Sequence, residues 1–366
     1  MHRRLISAVL LLLIVLSGCA PAATQGASAA PVSFPAPQPE PPAPVPEPAA
    51  EPVSASVSVP ARTLTAEETI WLSGTQVTLY TDGQRQYLSA DALECLPLCP
   101  PQALMLCGLR WYALDDVTST APFVWGTAPD GLRYLARQVD AALPEADICV
   151  PVLMYHATGD ELWGYSDLFV SAASLEQQLL YLQENGYSPI WFSDLAHMEE
   201  YEKPVILTFD DGYDDNYTVL FPLLQKYQMK ATIFVIGNAM GQPHKMTREQ
   251  VTELAASGLV SIQSHTYTHG NLSAMDEQTL RQEMALCNDA LAAATGQLPY
   301  VLCYPEGKYS HLTMDVARQY YSFALRMDGG TYHTGGDPYQ VPRSYISRRT
   351  TLSDYQWYLL PSGQFA

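Results

Sequence analysis

Four carboxylates lie within six residues of the segment VILTFDDGYDD, Val205 to Asp215. The apolar run ahead of them predicts a buried strand, and Asp210 and Asp211 stand at its carboxyl end. Neighbouring strand residues point to opposite faces, so this adjacent pair cannot flank one bond about 5 to 10 Å apart, as a glycosidase pair must. We expect separate roles for the two aspartates, one on a metal ion and the other on a water molecule.

Two histidines, His265 and His269, stand four residues apart in SHTYTH, directly after another apolar run. At that spacing one helical turn would aim both imidazoles at one point. Two histidines and a carboxylate leave a fourth position for water, as a catalytic zinc requires. His156 and Tyr304 end two further apolar runs. Each motif alone is common in turns and surface helices; their shared position at strand ends gives them weight.

Alternating strand and helix patterns begin at Cys149 and continue to the C-terminal region. The strand-like runs lack polar alternation, and amphipathic segments with predicted N-caps at Ser174, Thr247 and Asp276 separate them, which predicts a parallel sheet covered by helices. About seven such units over some 200 residues favour an α/β fold with a (β/α)7-type distorted barrel. In such barrels the chemistry lies at the carboxyl ends of the strands.

Two segments of different composition precede the barrel. Residues 62–148 contain alternating stretches with a hairpin signal at Asp82-Gly83 and a short helix near Ser89 to Leu93, which predicts a small β-rich accessory domain. Residues 20–61 consist largely of Pro, Ala, Ser, Val and Glu, a composition that predicts a disordered, extended linker. The barrel domain itself is assigned to residues 149–366.

Residues 1–19 combine a basic start with an apolar run of about a dozen residues, which is short for a membrane span. The run ends in Leu16-Ser17-Gly18-Cys19, which resembles a bacterial lipobox. It predicts a lipoprotein signal peptide, a lipid anchor on Cys19 and an extracytoplasmic protein attached to the bacterial membrane. The alternative is a plain secretory signal in which Cys19 occurs by chance.

The charge and the remaining cysteines restrict the partners further. The formal net charge is −19, which argues against a nucleic-acid partner because phosphate binding needs a basic surface. In an exported protein disulfides are permitted, and disulfides or buried thiols are favoured over a metal knuckle, since no nearby histidine completes one. The knuckle alternative concerns the group of Cys95, Cys99 and Cys107, and the disulfide prediction concerns these three together with Cys149, Cys287 and Cys303.

The motifs together resemble those of the polysaccharide deacetylases of carbohydrate esterase family four, the NodB homology domain, over about residues 150–360. LTFDDGYDDNY resembles the first family motif, SHTYTH the second and CYPEGKYS the third. PVLMYH is similar to the branch that contains poly-N-acetylglucosamine deacetylases.

The resemblance implies a role for each matched residue. Asp210 would be the general base, and His156 the general acid that protonates the departing amine. A divalent metal, with zinc as the expected ion, would be bound by Asp211, His265 and His269.

Other positions near the third motif are less regular. The resemblance implies that Tyr304 offers its backbone N–H to the oxyanion. Cys303 stands where many family members have an arginine that tethers the base, and Glu306 where an aromatic residue is often found. Arg343 either supplies the missing positive charge or lies on the surface. His333 is interpreted as a loop residue rather than the acid.

The resulting expectation is a metal-dependent hydrolase that removes N-acetyl groups from the amino sugars of a cell-envelope or extracellular polysaccharide. Peptidoglycan, poly-N-acetylglucosamine and chitin-like polymers are the substrates considered. The alternatives are an esterase acting on O-acetylated polysaccharide and an inactive, carbohydrate-binding wall protein.

Overall fold

The computed structural model describes residues 63–94, 103–106 and 108–360. The predicted signal peptide with Cys19 and the predicted linker lie outside these ranges, as do Cys95, Cys99 and Cys107. Within the described ranges, no helix is long and apolar enough to cross a membrane.

The first part of the described chain forms a seven-stranded sheet of order β4-β5-β3-β2-β1-β7-β6, confirming the β-rich prediction. Asp82-Gly83 forms the turn between two antiparallel strands, and Gly83 has the positive φ of 87° that favours glycine. The elements are β1 (Thr65–Leu72), β2 (Thr75–Thr81), β3 (Gln86–Ser89), α1 (Ala90–Leu93), β4 (Leu104–Leu106), β5 (Leu109–Ala113), α2 (Leu114–Thr118), β6 (Phe123–Thr127) and β7 (Arg133–Arg137).

The second sheet is a distorted parallel barrel of the predicted (β/α)7 type. Its strands follow the order β17-β16-β15-β14-β13-β9-β19, and β12 pairs with β13 beside this path. The segment before β19 pairs with β17, at the other end of the sheet, through a parallel bridge between Val341 and Leu325. The strands are β8 (Cys149–Val150), β9 (Val152–Tyr155), β10 (Ala157–Thr158), β11 (Phe169–Val170), β12 (Ser188–Pro189), β13 (Pro204–Phe209), β14 (Ala231–Val235), β15 (Val260–Ser264), β16 (Val301–Cys303), β17 (Phe323–Leu325), β18 (Tyr332–His333) and β19 (Ser344–Tyr345).

Helices cover the outside of this barrel: α3 (Ala172–Glu184), α4 (Phe221–Tyr227), α5 (Arg248–Ala256), α6 (Glu277–Thr295), α7 (His311–Ala317) and α8 (Leu352–Tyr358). Thr247 and Asp276 cap α5 and α6 as predicted. The predicted cap at Ser174 is wrong: Ser171 caps α3, and its hydroxyl accepts a hydrogen bond from the Ser174 N–H. The serine in the first turn has the same chemistry as the cap, so composition did not separate them.

The strands are apolar throughout because both of their faces are buried. In β13, Val205, Leu207 and Phe209 pack outward against the helices, whereas Ile206 packs with the residues inside the barrel. Asp210 continues the inward register of Ile206 and Thr208. The barrel alternation therefore directs the first aspartate of the motif towards the interior.

The two sheets contact each other through α6. The Tyr134 hydroxyl of β7 donates a 2.7 Å hydrogen bond to Asp289, and the Gly74 N–H donates to the Ala293 carbonyl. A small apolar cluster of Tyr134, Ala136, Ala292 and Ala293 fills the same contact. The domain limits after residues 61 and 148 stay predictions.

Candidate active site

Asp211, His265 and His269 converge on one point at the carboxyl ends of β13 and β15. The Nε2 atoms of His265 and His269 lie 3.5 and 3.4 Å from Oδ1 of Asp211, and the three ligand atoms lie within 4.8 Å of one another. Ligands at about 2.1 Å from a tetrahedral metal are separated by about 3.4 Å. The donor types and their spacing therefore fit a zinc-like ion.

The two histidines reach this point from a bent loop, so the predicted helical turn is wrong. Thr266 and His269 both have positive φ, 63° and 58°. The Glu283 carboxylate of α6 accepts hydrogen bonds from the N–H and the hydroxyl of Thr268, at 2.8 and 2.7 Å. These contacts replace helical hydrogen bonds and hold the strained backbone in place.

The ligands are oriented by a second set of contacts. Nδ1 of His265 donates to the Cys303 carbonyl at 2.9 Å, which leaves Nε2 as the ligand atom. Asp211 has a φ of 75°, and its carbonyl accepts a hydrogen bond from Lys245. Burial disfavours the charged carboxylate, but His265 and Lys245 outweigh it and hold the pKa of Asp211 below its usual range.

Asp210 is held by a buried arginine. Nη1 and Nη2 of Arg343 lie 2.7 and 2.8 Å from the two oxygens of Asp210, and Nη1 also donates to the Thr208 hydroxyl. Arg343 is fully buried. Burial raises the pKa of Asp210, but the charge and hydrogen bonds of Arg343 outweigh it and hold the pKa at about 2. Arg343 thus belongs to the site, and the surface alternative for it is wrong.

Cys303 and Arg343 contact each other beside Asp210. Cys303 Sγ lies 3.0 Å from Nη2 of Arg343 and 3.5 Å from Oδ2 of Asp210. The small thiol stands where the resemblance led us to expect an arginine. The guanidinium comes instead from the residue before β19, 133 positions after Asp210. In the sequence, the signal that could have indicated this buried arginine was its position as a single charged residue in the segment VPRSYI.

His156 faces Asp210 across the site. Its Nε2 lies 3.9 Å from Oδ2 of Asp210, and its Nδ1 is buried with no hydrogen-bond partner among the described residues. Burial lowers the pKa of His156, and the nearby Asp210 and Asp211 offset this only in part. The imidazole is therefore neutral near pH 7. Asn216 fixes the backbone by donating to the His156 carbonyl.

The structure contradicts the oxyanion role expected of the Tyr304 backbone. Its N–H donates to the Leu325 carbonyl at 3.1 Å, because the pairing of β16 with β17 continues one residue past the strand. The Tyr304 hydroxyl donates to the Tyr339 carbonyl. Both donors are therefore already satisfied within the fold.

His333 lies outside the site, but in a strand and not in the predicted loop. It belongs to β18, which pairs with β8 ahead of the first barrel strand, and its ring lies 3.4 Å from Sγ of Cys149. Cys149, Cys287 and Cys303 are free thiols. Of the six cysteines considered for disulfides, these three are therefore unpaired.

Comparison with known proteins gives a consistent result. A family model described as polysaccharide deacetylase matches residues 197–322. Bacillus subtilis YxkH, named as a polysaccharide deacetylase, is 32% identical over 216 residues, which cover 57% of this chain and 76% of that protein.

Two further proteins are similar over different lengths. The poly-beta-1,6-N-acetyl-D-glucosamine N-deacetylase of Escherichia coli K12 is 32% identical over 135 residues, 31% of this chain and 20% of that protein. The crystal structure of a polysaccharide deacetylase from Bacillus cereus superposes with a TM-score of 0.56 at 26% identity, covering 68% of this chain and 81% of that one.

Proposed function

The chain belongs to the polysaccharide deacetylase family, and we propose that it is a metal-dependent hydrolase that removes N-acetyl groups from the amino sugars of a polysaccharide. One observation carries the proposal. Three candidate ligand atoms within 4.8 Å of one another, from Asp211, His265 and His269, lie near a carboxylate, Asp210, that is held ionised by Arg343.

Asp211, His265 and His269 would hold a divalent cation, and a donor set of two imidazoles and a carboxylate suits zinc. A bound zinc ion would lower the pKa of a coordinated water and polarise the acetyl carbonyl. Asp210 would take the proton of that water. A pKa of about 2 makes Asp210 a weak base that stays ionised at any ordinary pH, so it depends on a water that is already acidified.

His156 would protonate the sugar nitrogen as the C–N bond breaks, since an unprotonated amide nitrogen is a poor leaving group. The imidazole is neutral at rest, so it must first receive a proton. Oδ2 of Asp210, 3.9 Å away, would hold the proton taken from water and is the nearest source. The water proton would then pass from Asp210 through His156 to the amine, and acetate would take the hydroxyl.

Asp210→Asn tests this function. The variant keeps the shape of the side chain and leaves all three metal ligands in place, so it should retain its metal and lose acetate release from N-acetylated oligosaccharides. Elemental analysis and an enzymatic acetate assay measure the two properties separately. Normal acetate release by this variant would refute the proposal.

The substrate is proposed as an N-acetylated cell-envelope or extracellular polysaccharide. The similarity to the Escherichia coli enzyme, whose name specifies poly-beta-1,6-N-acetyl-D-glucosamine, supports including that polymer. Acetate release should be compared on this polymer, peptidoglycan and chitin oligomers, with acetylated xylan as the ester control. Faster release from the ester would favour the esterase alternative, and no release from any polymer would favour an inactive binding protein.

We infer from the lipobox-like sequence that Cys19 carries a lipid and that the enzyme works outside the cytoplasm on the membrane surface. The Pro-rich residues 20–61 would then act as a tether for the catalytic domain. Membrane fractionation of the wild type and of Cys19→Ala tests this. Equal membrane association of both would exclude the anchor.

A further inference from the structure

A cavity of about 250 Å³ is lined by residues that closely follow His156 and Asp211 in the chain. One wall comes from the loop after His156, with Asp160, Glu161 and Trp163. The facing wall comes from the segment after Asp211, with Asp214 and Asp215, and His244 closes the end. The two strand ends that carry the catalytic site therefore also build this cavity.

The aromatic side of the cavity is rigidly packed. The rings of Trp163 and His244 stack at 4.2 Å with an interplanar angle of 8°. Phe169 and Tyr213 each meet the Trp163 ring edge-on, at 4.9 and 4.8 Å. The Tyr213 side chain also interacts with the carboxylate of the proposed metal ligand Asp211, which connects this wall to the candidate site.

The other lining groups are acidic. Asp160 and Glu161 are exposed at the rim, and Asp214 and Asp215 are half-buried. The neighbouring cation, Lys245, is already engaged, since its Nζ donates to the Asp211 carbonyl and lies 3.6 Å from the Tyr213 ring centroid. Four acidic residues therefore line the cavity, and none of them has an ion pair among the described residues. The Asp215 carboxylate accepts hydrogen bonds from the Thr158 hydroxyl and the Asn216 amide.

We propose that this cavity binds a glucosamine unit, with its charged ammonium group, next to the sugar that is being deacetylated. The proposal rests on the proposed function, because such units are the product of that reaction. A metal ion alone does not account for the cavity, since one water needs only about 10 to 15 Å³ of such space. A single sugar suits a volume just below that of typical small-molecule sites, and an ammonium suits both carboxylates and an indole ring.

The consequence is a preference for polymer that is already partly deacetylated. Each reaction creates an ammonium group, and the cavity would hold that group while the neighbouring unit enters the catalytic site. Burial raises the pKa of Asp215 to about 7. An ammonium beside this carboxyl would offset that cost and favour its charged form.

The test is direct binding by titration calorimetry to the metal-loaded, full-length protein at about pH 6, where sugar amines are charged. The probes are β-1,4- and β-1,6-linked glucosamine tetramers and their fully N-acetylated counterparts. We expect at least one glucosamine tetramer to bind about tenfold more tightly than its acetylated form. Asp160→Asn with Glu161→Gln should weaken that binding about five- to tenfold.

A matched control removes two adjacent exposed carboxylates elsewhere. Glu199 and Glu200 precede β13 and therefore lie at the amino-terminal end of the barrel, away from the cavity. Glu199→Gln with Glu200→Gln should bind the glucosamine tetramer like the wild type. Trp163→Leu, which removes the aromatic wall without removing charge, should also weaken binding, with its melting temperature recorded to exclude misfolding.

The outcomes separate the two proposals. Equal affinity of the wild type for both kinds of tetramer, or equal weakening by the Asp160/Glu161 and Glu199/Glu200 pairs, would overturn the glucosamine site even if acetate release is normal. Selective binding of glucosamine by a protein that releases no acetate would support the site and refute the proposed function.

Discussion

Arg343→Met removes the counter-charge of Asp210, the proposed catalytic base, while keeping a long apolar side chain in the barrel. In the wild type Arg343 makes two short hydrogen bonds to Asp210 and further contacts to Thr208 and Cys303. Asp210 is almost fully buried, so water cannot replace the lost partner. The substitution therefore leaves a buried carboxylate without its cation.

Two values bracket the expected loss of stability. If the pKa of Asp210 returned from about 2 to its ordinary 3.8, the lost stabilisation near pH 7 would be roughly 2 kcal/mol. Removing one partner of a buried ion pair typically costs about 3 to 5 kcal/mol. We expect Arg343→Met to lower the free energy of unfolding by about 2 to 5 kcal/mol. Misplacement of the base should lower kcat by about 100-fold or more.

Denaturant unfolding and acetate release measure these effects, with Arg281→Met as the control. Arg281 pairs with an acidic side chain, Glu277, on the surface of α6 and outside the site. The control should change kcat little. A metal-loaded Arg343→Met enzyme with wild-type kcat and stability would refute the role of this arginine.

Introducing an arginine at position 303 in an Arg343 variant tests the same contact more strictly. Sγ of Cys303 lies 3.5 Å from Oδ2 of Asp210, so an arginine at position 303 has access to the same carboxylate once the guanidinium of Arg343 is gone. Arg343→Ala with Cys303→Arg should be about tenfold more active than Arg343→Ala alone. A folded double variant that is no more active than Arg343→Ala would show that Asp210 needs a guanidinium at position 343, directly before β19.

Three further predictions concern the metal, the acid and the pH dependence. Asp211→Ala and His265→Ala should lose bound metal in elemental analysis, because each removes one of three ligands; stoichiometric metal in both would contradict the ligand assignment. His156→Ala should lower acetate release from an amide about 100-fold or more. Hydrolysis of 4-nitrophenyl acetate should fall much less, because a phenolate leaves without a proton. Equal losses on both substrates would exclude the acid role. The pKa of Asp210 is depressed to about 2, so this carboxylate contributes stability above about pH 4 that is lost as the pH falls towards 2. The melting temperature of Asp210→Asn should therefore fall less steeply between about pH 4 and pH 2 than that of the wild type.

The residues adjacent to strand ends could be predicted from sequence because their position is a local property. An apolar run that ends on Asp210 or His265 fixes both the strand and the edge at which the side chain emerges. The bent loop between His265 and His269 could not be predicted, because it depends on hydrogen bonds to Glu283 on a helix further along the chain.

Arg343 and Tyr304 also depend on contacts between distant parts of the chain, which a local sequence pattern does not contain. The pairing of Arg343 with Asp210 spans 133 residues and exists only once the barrel has closed, so no local pattern contains it. The motif around Tyr304 suggested a free N–H, but strand pairing with Leu325 uses that donor. Motif positions predicted which residues gather at the site, and the pairing of the strands decided which of their atoms remain available.

The segment that joins the barrel edges also bears on how the enzyme matures. Val341 bridges to β17, and two residues later Arg343 reaches Asp210 from the start of β19. Until this late part of the chain docks, Asp210 lacks its cation and the barrel has an open seam. In the proposed mechanism the base therefore acquires its counter-charge only when the fold is complete, and we expect a chain truncated before Arg343 to be inactive even though it contains all of the proposed metal ligands.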